Sequence, residues 1–245
     1  MRYFITFSYR GTDFHGSQTQ PNGNTVQAEM EAAFATILRI PVLLTFAGRT
    51  DAGVHAEAMV AHFDFPNALP ANLGARLNNL LPPEIAVRSI RPVTDDAHAR
   101  FDATSRTYKY FAVTGKDPFR YPLSWKCAPD LDFDLMNEAA ARLLHYTDFT
   151  SFSKLHTDVK TNNCRVTHAR WTYEGDQWVF TITADRFLRN MVRAIVGTLV
   201  EVGRHKITVE QFCQVIERKD RCAAGTSMPG HALFLWDITY PYPIQ

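Results

Sequence analysis

A chain of 245 residues, 46% hydrophobic and 21% charged, is long enough for one large or two modest globular domains and too apolar to remain disordered. Its 26 Lys plus Arg against 25 Asp plus Glu leave a net charge of +1, so bulk charge singles out no nucleic-acid or membrane partner. The opening Met1-Arg2-Tyr3-Phe4-Ile5-Thr6 alternates rather than building a charged-then-apolar leader, and no apolar run reaches the length of a membrane span. A soluble, cytoplasmic protein without membrane contact is expected.

In chain order, Tyr3, Ile5, Phe7 and Tyr9 recur at period two and predict an opening strand with one buried face. After the loop Arg10 to Gly16, Asn24 with Gln27 resembles a capping box. Val26, Met30, Ala33, Phe34, Ile37 and Leu38 then keep helical spacing until Pro41. A short apolar run, Leu44 to Ala47, leads into a glycine-bounded turn, and Met59, Ala61, Phe63 and Phe65 predict the next strand. Leu69, Leu73, Leu77, Leu80 and Leu81 mark a second helix before Pro82-Pro83, and Ile85 to Ile90 a strand.

The second half repeats this mixture. A strand is predicted over Thr107 to Val113, and a helical stripe follows Asp132 from Leu135 to Leu144. Val166 to Tyr173 and Trp178 to Ala184 flank Glu174-Gly175-Asp176-Gln177 as a hairpin. Leu188, Met191, Val192, Ile195, Val196 and Leu199 predict the strongest helix. Another helix starts at the Thr208-x-x-Gln211 box, and a last strand covers Ala232 to Tyr240. No repeat or flexible linker interrupts the chain. The best boundary lies near Arg100 to Ser105, giving two α+β halves, 1–103 and 104–245.

Cys127, Cys164, Cys213 and Cys222 are widely spaced, with no zinc-type pairing, and are expected as free thiols; no metal is expected. Among the basic residues 19 Arg outnumber 7 Lys, and the guanidinium fork suits phosphate and stacking on bases.

The residue with most chemical promise is Asp51, in Gly48-Arg49-Thr50-Asp51-Ala52-Gly53-Val54-His55. Flanking glycines permit sharp backbone angles and close approach of a substrate, while the carboxylate stands on a turn. Spacing alone favours a turn or helix cap for this aspartate. Tyr108 shares a strand face with Tyr110 and Arg106, and on spacing alone is a half-buried core tyrosine. Arg186, Arg189 and Arg193 are three and four residues apart and are expected on one stripe of the strongest helix, where a solvated basic edge is the ordinary reading.

The segment from Gly48 to His55 resembles, letter for letter, the signature of the A-type tRNA pseudouridine synthases. Further segments similar to that family follow in order: Asp95 to Phe101, Arg106 to Tyr110, Asp148 to Phe152, Asn190 to Arg193 with Ile195-Val196-Gly197, and Glu201-Val202-Gly203. The resemblance implies the pseudouridine synthase fold, two similar α/β halves with mainly antiparallel sheet and a cleft between them. It implies an isomerase converting uridine to pseudouridine in the anticodon stem-loop of tRNA, at positions 38, 39 and 40, working as a homodimer without a cofactor.

On this resemblance Asp51 is the catalytic nucleophile, and Tyr108 stacks on the target base, a contact worth about 1 to 3 kcal/mol. Arg193 keeps the Asp51 carboxylate ionised by opposite charge. Arg189 and Arg186 become candidates for phosphate, Arg49 for the flipped nucleotide, and Gln18 for the substrate through the first loop. That loop departs from the family where Asp and Trp are usual, with Arg10 and Ser17 in their places. His55, His62 and His98 fit no ligand set and are expected to be packing residues. Two other classes compete: an RNA-binding module in which Asp51 only caps its turn, and a glycosidase-like hydrolase, for which neither Glu57 nor Asp64 is marked as a paired acid.

Overall fold

A computed structural model describes residues 1–21, 23–154 and 161–244. In chain order its strands and helices are β1 (Arg2–Tyr9), α1 (Val26–Leu38), β2 (Thr45–Phe46), β3 (His55–Asp64), α2 (Leu73–Leu80), β4 (Ile85–Val93) and β5 (Ser105–Val113). There follow β6 (Trp125–Lys126), α3 (Phe133–Arg142), β7 (Val166–Glu174), β8 (Gln177–Ala184), α4 (Met191–Gly203), α5 (Val209–Glu217) and β9 (Leu233–Thr239). The fold is mixed α/β with mainly antiparallel pairing. The chain forms two compact units, Met1–Thr104 with Leu235–Gln245, and Ser105–Phe234. A division drawn from sequence order at 103/104 does not include this return of the C-terminal strand to the first unit, since strand partners are not encoded by order along the chain.

In the first unit the strand order is β4-β1-β3-β9, with β2 paired to β3. Pro92, which lacks an amide donor, lies in β4 at the outer end of that order, where such a residue is tolerated. The prediction of one buried face for β1 needs correction. Phe4 on the opposite face is also buried, packed edge-on against Tyr240 at 5.4 Å and beside Tyr242, so β1 is covered on both sides. On the other face Phe34 of α1 meets Phe63 of β3 at 4.8 Å.

The start of α1 also differs from the Asn24 capping box. Thr25 is the cap, its hydroxyl accepting the Ala28 N–H at 3.3 Å, while the Asn24 amide donates to Glu29. Arg39 ends the helix in the left-handed region, two residues before Pro41. Burying Val26, Met30 and Phe34 is worth about 1.5–3 kcal/mol each, far above the tenths that separate helix propensities, so packing holds this helix in place.

In the second unit β8 lies between β5 and β7 in antiparallel register, and β6 adds a short parallel pairing to β5. The β7–β8 hairpin closes through Gly175 at φ 52° and Asp176 at φ 66°, the paired positive angles of a two-residue turn. Phe133 of α3 stacks on Trp178 at 3.8 Å and meets Trp171 edge-on, forming the aromatic centre of this core. The Thr208 capping box of α5 is fully formed, with both reciprocal hydrogen bonds.

Candidate active site

Asp51 sits where β2 hands over to β3. Thr45 and Phe46 pair with His62 and Ala61, and Ala47 extends this by one bond to Val60 O, at 2.8 Å. The chain then leaves the ladder and re-enters it at His55. The turn closes through the Val54 N–H, which donates to the Asp51 carbonyl at 3.1 Å, and its third residue, Gly53, has φ 77°. Only glycine takes that angle readily, which accounts for one of the two glycines flanking Asp51. Gly48 has a different reason: an added Cβ there meets nothing within 4 Å, so the backbone lies beside open space that a ligand can enter.

The segment from Tyr9 to Gln18 lies directly on this turn. Gly11 passes so close that a Cβ would stand 2.0 Å from the Val54 carbonyl oxygen, and its N–H donates to His55 Nδ1 at 2.9 Å. Buried His55 is therefore a structural acceptor, with its proton on Nε2. Ser17 grips Thr50 twice: its N–H donates to the Thr50 carbonyl at 3.2 Å, and its hydroxyl accepts the Thr50 N–H at 2.9 Å. A third bond joins the Tyr9 and Thr50 hydroxyls at 2.8 Å. Thr50 is buried, Asp51 half-buried, and Arg49 and Gln18 are exposed. Within the first unit, then, Gln18, Arg49 and Asp51 are brought together by the Ser17–Thr50 clasp.

Tyr108, Arg189 and Arg193 belong to the second unit. Tyr108, half-buried on β5, is met edge-on by Phe187 at 5.0 Å, which fixes the plane of its ring. Tyr110, two residues along the same face, is fully buried. Burial raises the pKa of its hydroxyl, partly offset by the Arg193 charge, so that phenol remains neutral.

The three arginines do not share a helical stripe. Helix α4 begins at Met191, after Asn190 in the left-handed region, so Arg186 and Arg189 lie in the preceding connection. That connection is held by the Asp185 carboxylate, which accepts the backbone N–H groups of Arg165 and Arg186 at 2.8 and 2.7 Å, and by the Arg189 carbonyl, which accepts from Lys154 N–H. A left-handed residue breaks the 3.6-residue phase on which the stripe depended. Exposed Arg189 presents its charge from this connection, while the Arg186 guanidinium donates to Thr161 O.

Arg193 stands in the first turn of α4, where a cation opposes the helix dipole by about 0.3–1 kcal/mol. It is held there by residues 224–228. Its Nε donates to the Met228 carbonyl at 2.5 Å, and Met228 N–H donates to the Arg193 carbonyl at 3.1 Å. The segment is itself tied down, since Ser227 Oγ accepts from Asn190 at 2.6 Å and from Arg221 at 2.7 Å. Sequence reasoning missed Tyr9, Ser17, Phe187 and Met228 as partners of the candidate residues. For Phe187 the signal was present, an aromatic beside the arginine run, whereas nothing local marks Met228.

His62 and His98 are packing residues. His62 Nδ1 accepts the Ala99 N–H at 3.2 Å, and burial, assisted by the nearby Arg2 charge, lowers its pKa to about 4. His98 packs on it at 4.5 Å, and its Nδ1 accepts from Arg100 and Phe101 N–H. Among the described residues no group of three His, Cys, Asp or Glu side chains could hold a metal ion. All four cysteines are free, and burial pushes the Cys127 thiol up to about 11 and Cys164 to about 12, which leaves neither as a nucleophile near neutral pH. No described helix is long and apolar enough to cross a membrane.

The chain is 61% identical over 249 residues to tRNA pseudouridine synthase A of Parabacteroides distasonis, covering 100% of this chain and 99% of that protein. It is 59% identical over 247 residues to the protein of the same name from Bacteroides thetaiotaomicron, covering 99% of this chain and 92% of the other. With the Bacillus subtilis protein of that name identity is 42% over 247 residues, covering 98% and 99%. The family model described as tRNA pseudouridine synthase matches residues 5–102 and 139–241, spanning the Asp51 turn and the Arg193 helix. This chain belongs to the tRNA pseudouridine synthase family.

Proposed function

We propose that the protein isomerises uridine to pseudouridine in the anticodon stem-loop of tRNA, at positions 38, 39 and 40, with Asp51 as nucleophile. The observation that carries this reading is the Asp51 turn itself: a half-buried aspartate that follows exposed Arg49 and the open-sided Gly48 in sequence, on a backbone held by Ser17, Tyr9 and Gly11. An ionised carboxylate needs no base to activate it and can form and release a covalent adduct. In the net reaction the N1–C1′ glycosidic bond breaks and a C5–C1′ bond forms. The C5 proton is lost, N1 gains one, and Asp51 is regenerated. Atoms and electrons balance within the nucleotide, so the isomerisation calls for no redox cofactor.

The other candidates take roles that suit their settings. Tyr108, its ring fixed by Phe187, stacks on the base after it is flipped from the helix, and Arg193 supplies the positive charge that partners the catalytic carboxylate during the reaction. Exposed Arg49, Arg189 and Gln18 contact the nucleotide and the RNA backbone. The protein acts in the cytoplasm as a homodimer. The test is to incubate unmodified tRNA with the protein and with Asp51→Ala and to map pseudouridine in the anticodon arm. Product from the parent alone is expected. Equal product from both removes Asp51 as nucleophile, and tRNA binding without product from the parent identifies an RNA-binding module instead.

A further inference from the structure

We infer that Ser17, assisted by Tyr9, is a positioning residue that sets the register of the Asp51 carboxylate; this rests on the reading of Asp51 as nucleophile. Thr50, immediately before Asp51, has all three of its polar groups engaged. Ser17 Oγ takes its N–H at 2.9 Å, Ser17 N–H gives to its carbonyl at 3.2 Å, and the Tyr9 hydroxyl meets Oγ1 at 2.8 Å. Both gripping residues are anchored to regular structure. Tyr9 ends β1, while the Ser17 carbonyl accepts Gln27 N–H from α1 at 3.0 Å. Gly16, at φ 92°, brings the loop so near that a Cβ would lie 2.9 Å from the Thr50 carbonyl oxygen. The clasp therefore transmits the positions of β1 and α1 to the residue next to Asp51.

Ser17 is 0% exposed, so its side chain acts inside the fold, on Thr50. Its hydroxyl accepts the Thr50 N–H, which a side chain without an acceptor could not do. With serine at this position, the amide leading into Asp51 is satisfied by a side chain of the neighbouring loop. Without the hydroxyl that buried amide loses its acceptor and the turn shifts to find another. Displacing a reacting group by about 1 Å costs on the order of 100-fold in rate while leaving remote binding contacts in place.

The experiment compares the parent with Ser17→Ala, Ser17→Cys and Tyr9→Phe. It measures the single-turnover isomerisation rate at saturating unmodified tRNA, the tRNA Kd by filter binding, and the urea midpoint. Ser17→Ala is expected to lower the rate about 10- to 100-fold with Kd within about twofold, Ser17→Cys to fall between it and the parent, and Tyr9→Phe to lower the rate in the same selective way. Ser151→Ala is the control. That serine is equally buried and donates to the Val215 carbonyl at 2.6 Å, so its loss should lower the urea midpoint and leave the rate unchanged. A parental rate in both Ser17→Ala and Tyr9→Phe overturns the proposal, as does a rate loss matched by an equal loss of binding. If Asp51→Ala is inert while the Ser17 and Tyr9 variants are fully active, the positioning role alone is lost. An active Asp51→Ala removes the nucleophile reading and the positioning role with it.

Discussion

Replacing Gly197 by alanine should destabilise the protein although it removes a glycine from the interior of a helix. Propensity alone predicts a gain of about 1 kcal/mol. The structure predicts the opposite, because residues 224–228 cross α4 at this point: a Cβ on Gly197 would stand 1.9 Å from the Thr226 carbonyl oxygen and 3.0 Å from its carbon. An ordinary contact between carbon and carbonyl oxygen is about 3.3 Å, so the crossing segment must lift by about 1.4 Å. That movement strains the Gly225 N–H bond to Thr198 Oγ1, now 2.9 Å, and the Met228 N–H bond to the Arg193 carbonyl, now 3.1 Å. Overpacking costs about 1–3 kcal/mol and each lost hydrogen bond about 1, so the net loss after the propensity gain is about 2–4 kcal/mol. Because Met228 also holds the Arg193 guanidinium, the single-turnover rate should fall at a temperature where the variant is still folded. Urea unfolding at equal slope is the assay, with Gly74→Ala as control. There the nearest atom to an added Cβ is Val87 Cγ1 at an ordinary 3.7 Å, so stability should hold or rise by about 0.5 kcal/mol. A Gly197→Ala midpoint at or above the parent would refute the reasoning.

Two further outcomes are expected. His62 titrates at about 4 in the folded protein against 6.5 in the unfolded chain, so the unfolded state binds more protons across that window and stability falls as pH drops through it. Between neutrality and pH 5 this group alone removes about 2 kcal/mol, and His62→Asn, which keeps an acceptor for the Ala99 N–H, should lose that much less in urea titrations at the two pH values. Equal pH dependence in both proteins would dismiss His62 as the source. The carboxyls of Asp64, held by the Arg2 guanidinium, and Asp102, held by the Tyr242 hydroxyl, are depressed below the ordinary carboxylate range and so stay ionised throughout this pH window. Arg193→Lys and Arg193→Ala should both bind tRNA within about twofold of the parent yet isomerise it at least about 10-fold more slowly. A lysine keeps the charge but has no planar fork with which Nε can engage Met228 O while the outer nitrogens act elsewhere. Parental turnover by Arg193→Lys would show that charge alone suffices.

Much of the molecule is legible in the sequence. The Gly175-Asp176 hairpin, the Thr208 capping box and the alternating strands depend on neighbours a few residues apart, and such signals survive in a linear reading. The Asp51 segment was legible for another reason, because eight consecutive residues match one family pattern, and membership of the tRNA pseudouridine synthases follows from the chain as a whole. Where local reasoning failed, a distant partner had intervened. Phe4 is buried because Tyr240 and Tyr242 return to cover β1, and the arginine stripe is broken because Asn190 turns left-handed before α4 begins. The clasp of Ser17 and Tyr9 on Thr50 joins residues 33 and 41 positions apart, and Gly197 is required only because residues 224–228 cross it. The sequence by itself determined which carboxylate stands in the turn and which family surrounds it, since composition, periodicity and motif are local properties. What holds that carboxylate in place was decided by the tertiary structure, because burial and hydrogen-bond partners exist only once remote segments have met.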